Sequence, residues 1–279
     1  MKIGLVVDNH GSHAIDNVQT WPAEAERLGF HSLWFTDHVI GLTSYAPRFS
    51  TTWAESLTSL SFAAARTSTI RVGVGVMVVP YRNPVYAAKV LATIDLLSGG
   101  RLDVGVGVGW SRSEYKALGV GDLFDVRGAY TDESLDVMQR CWAGGTLGYQ
   151  GTWNAFREID FSPAPAQPAG PPLWVGGHSG PALRRAARFA ATWHPMGLQP
   201  LELAAAGDRL DAIAGREITR TTRILVPASI GSAELQDQLV AFAGVGCVEV
   251  AVDISTPDAG EFRDAAQRLA GSLSALAGT

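Results

Sequence analysis

Residues 70–110 read IRVGVGVMVVPYRNPVYAAKVLATIDLLSGGRLDVGVGVGW. The β-branched run Ile70–Val79 and the second run Leu102–Val108 are apolar on both alternating sets of positions, the pattern of strands buried on both faces. Between them, Val85–Leu97 carries Ala and Leu at helical spacing and stops at Ser98-Gly99-Gly100. The segment therefore predicts strand, helix, strand, with the two strands parallel.

The same unit recurs in both directions. Upstream lie Ile3–Val7, a helix closing at Ala23–Leu28, the strand His31–Thr36 and the helix Trp53–Arg66. Downstream, a helix around Asp132–Trp142 leads into a Gly/Pro-rich stretch, 143–172, with the pattern of a hairpin at Leu147–Gln150 and Ala155–Phe161. Leu173–Val175, Thr192–Pro195, Arg223–Ile230 and Val248–Ile254 then alternate with helices at Pro181–Phe189, Pro200–Ala214, Ala233–Ala243 and Ala259–Leu276. Eight strands alternate with eight helices, which predicts one (β/α)₈ barrel over residues 1–279 with an excursion at 143–172. A doubly wound open sheet is the rival. It calls for a Gly-rich turn after the first strand, where this chain has Asp8-Asn9-His10-Gly11-Ser12-His13.

Composition narrows the function. Hydrophobic residues make up 47% of the chain and charged residues 18%, which suits a sizeable core. The net charge of −5, without a Lys/Arg run, argues against a nucleic-acid or anionic-membrane surface. Cys141 and Cys247 have no zinc spacing and read as buried, reduced thiols. With no secretory signal pattern and no apolar stretch approaching a membrane span, a soluble cytoplasmic protein is expected.

In a barrel of this kind the chemistry belongs to the loops after the strands. The second strand ends in Thr36-Asp37-His38, and His38 is a candidate proton donor or acceptor. Asp37 and His38 should face opposite ways, as neighbours on a strand do. The glycines of Val72-Gly73-Val74-Gly75-Val76 and Gly105-Val106-Gly107-Val108-Gly109-Trp110 admit two readings: close approach of a flat ligand, or small residues fitting the barrel's taper. Gly176-Gly177-His178-Ser179, followed by Gly180-Pro181, places free backbone N–H groups at a helix N-terminus, suited to a phosphate. Glycine needed only for the turn's dihedrals is the alternative.

Taken together, Phe35-Thr36-Asp37-His38, Arg82-Asn83-Pro84, Leu97-Ser98-Gly99-Gly100-Arg101-Leu102 before the Gly105–Trp110 strand end, and Pro171-Pro172-Leu173-Trp174-Val175-Gly176-Gly177 resemble the luciferase-like monooxygenase family, most closely its coenzyme F-420-dependent oxidoreductases. The resemblance implies a deazaflavin, or alternatively FMN, lying across the barrel mouth. It implies a non-proline cis peptide near Gly75-Val76 behind the ring, His38 at the reactive side, and the phosphate at Gly176-Gly177-His178-Ser179. Asp37, Gly107, Gly109 and Trp110 complete the implied cofactor site. Hydride transfer to or from a small organic substrate follows, or oxygen activation with FMN; a non-catalytic cofactor-binding protein is the other alternative. Family members are commonly dimers, so a homodimer is expected.

The chain departs from the pattern at three places. Trp110 stands where sugar-phosphate dehydrogenases and methylene-pterin reductases of the family place a Glu, and Leu42 where the former place a Trp. Ala191-Thr192-Trp193 replaces Asp-Gly-Trp. Trp110, Leu42 and Trp53 suggest an apolar substrate. A metal-dependent hydrolase barrel would use His10, His13, His178, His194 and Asp253, but His10-Gly11-Ser12-His13 is one residue too long for His-x-His. No carboxylate or Lys ends the fourth strand, so no metal site is expected.

Overall fold

The computed structural model describes residues 1–41 and 50–276; Leu42 lies outside the described residues. The barrel begins with β1 (Lys2–Val6), α1 (Ala14–Arg27), β2 (Ser32–Phe35), α2 (Ser56–Arg66), β3 (Arg71–Val78), α3 (Pro84–Leu97) and β4 (Leu102–Gly107). A short α4 (Arg112–Ala117) and the longer α5 (Arg127–Trp142) follow, then a hairpin of β5 (Gly145–Gln150) and β6 (Ala155–Phe161) outside the barrel. The chain returns with β7 (Leu173–Val175), α6 (Gly180–Phe189), β8 (Thr192–Trp193), α7 (Pro200–Ala214), β9 (Thr219–Pro227), α8 (Ser232–Gly244), β10 (Cys247–Ser255) and α9 (Ala259–Leu276).

Eight strands close in the order β1-β10-β9-β8-β7-β4-β3-β2, every pairing parallel. The doubly wound alternative is excluded by this closure. Two elements differ from the sequence reading. The seventh barrel strand runs Thr219–Pro227 rather than Arg223–Ile230. Its first four residues, Thr219-Arg220-Thr221-Thr222, were hidden because they are polar, where an apolar run was the criterion. The six-residue α4 was not expected at all. No helix among the described residues is long and apolar enough to cross a membrane.

Strand parity sorts the side chains into two sets. Leu5, Leu33, Phe35, Val72, Val74, Val104, Val175, Val250 and Val252 face the helices and join the main core. The opposite parity fills the barrel with an unusual interior: Val6, Trp34, Trp174 and Ala251 form a second, separate cluster. Trp34 fits because its neighbours lack side chains. A Cβ on Gly73 would lie 2.4 Å from its ring, and one on Gly4 would lie 2.9 Å from its Nε1. For Gly73, then, glycine makes room for an indole rather than for a ligand.

Toward the strand N-termini the interior turns polar. Trp34 Nε1 donates to Ser32 Oγ (2.7 Å), and Ser32 donates to Glu249 (2.5 Å). Arg71 grips Asp103 through two hydrogen bonds of 2.5 and 2.6 Å. Burial pushes the Glu249 carboxyl up to about 7, opposed by the Ser32 hydroxyl and reinforced by Asp103.

The fold thus prefers Glu249 protonated. Its contribution to stability is complete below its ordinary pKa of 4.5 and is lost as pH rises through about 7. Glu249→Gln should gain on the wild type over that window. In urea titrations, the difference in unfolding free energy between the two should grow by roughly 2–3 kcal/mol from about pH 4.5 to about pH 8. A difference that stays flat with pH would contradict a buried, protonated carboxyl.

Candidate functional site

The mouth at the strand C-termini holds a cavity of about 360 Å³, within the range of small-ligand sites. The loops after β2, β3, β4, β7 and β8 and the inner face of β9 all reach it. His38, Gly75, Val76, Gly107, Gly109, Trp110, Gly176 and Gly177, dispersed over 140 positions of sequence, line it together. Asp37 borders it as well, whereas His178 and Ser179 lie beside it on the exposed turn that opens α6.

Asp37 and His38 diverge, as their adjacency on an extended segment requires. The Asp37 carboxylate is buried and fully engaged. Arg82 donates to both of its oxygens (2.7 and 2.8 Å), Ser56 Oγ donates at 2.7 Å and the Val78 N–H at 2.7 Å. Asp37 therefore ties the second strand end to the third. Burial opposes the Arg82 charge, but Asp37 and Glu55 outweigh it and hold the guanidinium well above its usual range. Arg82-Asn83-Pro84 is an ion-pair anchor followed by a helix cap, since Asn83 Oδ1 accepts the Val85 and Tyr86 N–H groups.

His38 points the other way, into a carboxylate that the sequence did not reveal. Its Nδ1 lies 2.8 Å from Glu114 Oε2. Glu114 also accepts from the Val39 N–H (2.7 Å) and from the Tyr81 hydroxyl (3.0 Å), and is itself buried. Burial works against its charge, yet the bonds from His38, Val39 and Tyr81 prevail and keep its pKa below the ordinary value. Burial and the charge of Glu114 raise the Tyr81 phenol, so Tyr81 stays a donor. A carboxylate on Nδ1 places the ring proton there and leaves Nε2 as the basic nitrogen. Trp53 packs on the imidazole (4.6 Å between centroids) and Trp110 meets its edge (5.7 Å). Trp110 is 52% exposed and forms an apolar rim with Met196.

Glu114 does not end β4; it reaches the mouth from α4, beyond the strand end that the sequence reading weighed. The signal was present as Ser111-Arg112-Ser113-Glu114, the spacing of a capping box. Ser111 Oγ does accept the Glu114 N–H (3.2 Å), but the Glu114 side chain goes to His38 instead of back to Ser111.

The opposite wall is built on Val76. The Gly75–Val76 peptide is cis, at the bond that the resemblance implied. Gly75 O accepts from Arg223 (3.0 Å), whose guanidinium is also paired with Asp253. A Cβ on Gly107 would lie 2.6 Å from Val76 Cγ2, and one on Gly176 would lie 3.0 Å from Val76 Cγ1. These two glycines let the Val76 side chain stand between β4 and β7 as a raised apolar wall. Gly109, at φ +68°, makes the turn that carries Trp110.

At the α6 end, Gly177 adopts φ +82° and its carbonyl accepts from Trp193 Nε1 (2.8 Å). Ser179 caps the helix by accepting the Ala182 N–H, and no acidic residue occupies the first turn. Arg184 folds back over that turn, its Nη1 3.6 Å from where a Cβ on Gly180 would stand. Helix terminus, glycine turn and guanidinium together suit an anion.

The residues of the hydrolase alternative are dispersed or engaged elsewhere. Asp253 pairs with Arg223, His194 with Thr221, and His10 with Asp8 (3.2 Å). His178 is exposed on the α6 turn. Among the described residues no group of three or more His, Cys, Asp or Glu is placed to hold a metal.

Comparison with known proteins agrees with the geometry. The family model for luciferase-like monooxygenases matches residues 1–277. An uncharacterized protein of Mycobacterium tuberculosis is 35% identical over 148 residues, 53% of this chain and 48% of that protein. The FMNH(2)-dependent dimethylsulfone monooxygenase of Pseudomonas putida is 31% identical over 137 residues, 49% of this chain and 38% of its own length. The matches thus span half or less of these curated relatives. An F420-dependent secondary alcohol dehydrogenase, solved with an F420-acetone adduct, superposes with a TM-score of 0.81 over 97% of both chains at 16% identity, a likeness of fold. With the family model matching nearly end to end, the chain belongs to the luciferase-like monooxygenase family.

Proposed function

We propose that the protein is an oxidoreductase that transfers hydride between coenzyme F-420 and an apolar alcohol or its carbonyl counterpart. The observation that carries this reading is the His38–Glu114 pair at the edge of a largely apolar mouth. The mouth also fits the cofactor class. It offers a smooth wall at Gly75-Val76, glycines that clear space around it, and an anion-ready turn at Gly176-Gly177-His178-Ser179. Val76 would back the ring and the α6 terminus would hold the phosphate. When bound, the deazaflavin supplies a ring carbon that accepts or returns hydride.

The chain's own part is proton management and exclusion of water. As hydride leaves the alcohol carbon, the hydroxyl proton must leave the oxygen so that the carbonyl can form. His38 Nε2 takes that proton and becomes imidazolium. Glu114, kept ionised by its three donors, stabilises the positive ring through Nδ1. In the reverse direction His38 returns the proton to the carbonyl oxygen. Trp110, Trp53 and Met196 cover the exchange with apolar surface and select for an apolar substrate.

A second reading is flavin-dependent oxygenation with FMN. It is favoured by the relatives named as monooxygenases, among them the FMNH(2)-dependent dimethylsulfone enzyme. A cofactor-binding protein without turnover would show binding alone.

Fluorescence titration of the apoprotein with coenzyme F-420 and, separately, FMN tests the cofactor class. Binding of at least one well below millimolar is expected; failure of both up to about millimolar, a weak interaction of about −4 kcal/mol, would contradict it. Gly177→Asp adds an anion and a Cβ at a positive φ, and should weaken binding tenfold or more with an unchanged far-UV circular dichroism spectrum. Anaerobic reduction of F-420 by a panel of apolar secondary alcohols tests the reaction. Glu114→Gln should bind cofactor about as the wild type does and lower kcat by roughly 10²-fold. Wild-type kcat in that variant would remove Glu114 from the chemistry.

A further inference from the structure

His194 has no part in the proton transfer above, yet it lines the same cavity from below. It is buried on the inner face of the barrel just beyond β8. Its ring lies nearly parallel to Trp34 (16°, 5.3 Å between centroids) and meets Trp174 edge-on at 5.4 Å. Its Nδ1 sits 2.8 Å from Thr221 Oγ1, and that hydroxyl donates its proton to the Trp193 carbonyl (3.1 Å). Thr221 therefore presents a lone pair to Nδ1, so Nδ1 carries the imidazole proton and Nε2 does not. Burial, with the nearby Arg223 charge, pushes the imidazole down to about 3, so the ring stays neutral.

Nε2 is thus an obligate acceptor. It is buried and has no hydrogen-bond partner among the described residues. It lies 3.9 Å from the position of a Cβ on Gly75, and Gly75 and His194 both line the mouth. Arg223, the neighbouring cation, is committed to Gly75 O and Asp253. Buried polar atoms are rarely left unpaired in folded proteins, and an orphan at a ligand cavity marks the place where a ligand atom completes the pair. The missing partner must be a donor, because Nε2 has no proton to offer a carbonyl edge. Oxidised FMN carries one ring donor, the imide N–H of its pyrimidine end, and coenzyme F-420 has the same group.

We propose that His194 reads the bound ring, with Nε2 accepting the hydrogen bond of the imide N–H at the pyrimidine end of a flavin-type cofactor. This rests on the cofactor reading above. His194 sets which end of the ring enters deepest, and Trp34 and Thr221 act through it as positioning residues that fix its plane and its tautomer.

The test compares the affinity of whichever parent binds, oxidised FMN or coenzyme F-420, with that of the same molecule methylated on the imide nitrogen. Both are titrated by fluorescence against the wild type and His194→Phe, which keeps an aromatic ring against Trp34; His194→Leu repeats the comparison should the Phe variant fail to fold. The wild type should bind the methylated molecule roughly tenfold or more weakly, the worth of one buried hydrogen bond. The variant should bind the two alike, near the weaker affinity. Equal wild-type affinities, or the same discrimination in the variant, would overturn the role of His194 and leave the cofactor reading standing. If neither FMN nor F-420 binds at all, both fall together.

Discussion

The placement of one indole inside the barrel governs the rest of the molecule. Barrel interiors are commonly filled by layers of branched aliphatic side chains. Here Trp34 fills the middle, and it can do so because Gly4 and Gly73 contribute no side chain beside it. Its Nε1 is satisfied from below through Ser32 and Glu249, and its face supports His194 above. The indole therefore separates two polar regions of opposite purpose. Below, Arg71, Asp103, Ser32 and Glu249 close the strand N-termini with a fixed hydrogen-bond network. Above, the interior opens as a cavity whose floor is a clamped, neutral imidazole.

Around that cavity, charge is paired wherever it serves structure and directed inward only where it meets the proposed ligand. Asp37 is consumed by Arg82, and Asp253 by Arg223. Both pairs join neighbouring strand ends, so the loops that shape the mouth are held at their roots. Removing one partner would strand a buried charge, a change far costlier than losing a surface ion pair. Glu114 differs. Its carboxylate is buried as well, but its bond to His38 fixes one nitrogen of a side chain that lines the cavity.

Much of the fold was legible because strands buried on both faces and Ala/Leu helices differ in period. The runs Ile70–Val79 and Leu102–Val108 needed no tertiary information. Legibility failed where a strand is written in polar residues: the start of β9, Thr219-Arg220-Thr221-Thr222, carries no apolar side chain, so an apolar criterion passed over it. The site was half legible. His38 and the Gly176-Gly177 turn declared themselves by chemistry at strand ends. Glu114 did not, since its role depends on where a six-residue helix after β4 points, and its capping-box spacing names only a local bond. His194 was noticed as a possible metal ligand. Only the tertiary contacts with Thr221 and Trp34 show that one of its nitrogens is fixed and the other without a partner among the described residues. The strand glycines Gly73 and Gly107 both make room for side chains, Trp34 and Val76, which is the reading of small residues fitting the barrel interior rather than that of a ligand.

The proposed function depends on one arrangement, a flavin-type ring between the Val76 wall and His38 with its phosphate at the start of α6. A crystal structure of the protein with its bound cofactor measures it most directly. The expected result has the ring against Gly75-Val76, its phosphate within hydrogen-bond distance of the backbone N–H groups around Ser179, and His38 on the ring's open side. A phosphate bound elsewhere, or a ring lying outside the mouth, would contradict it.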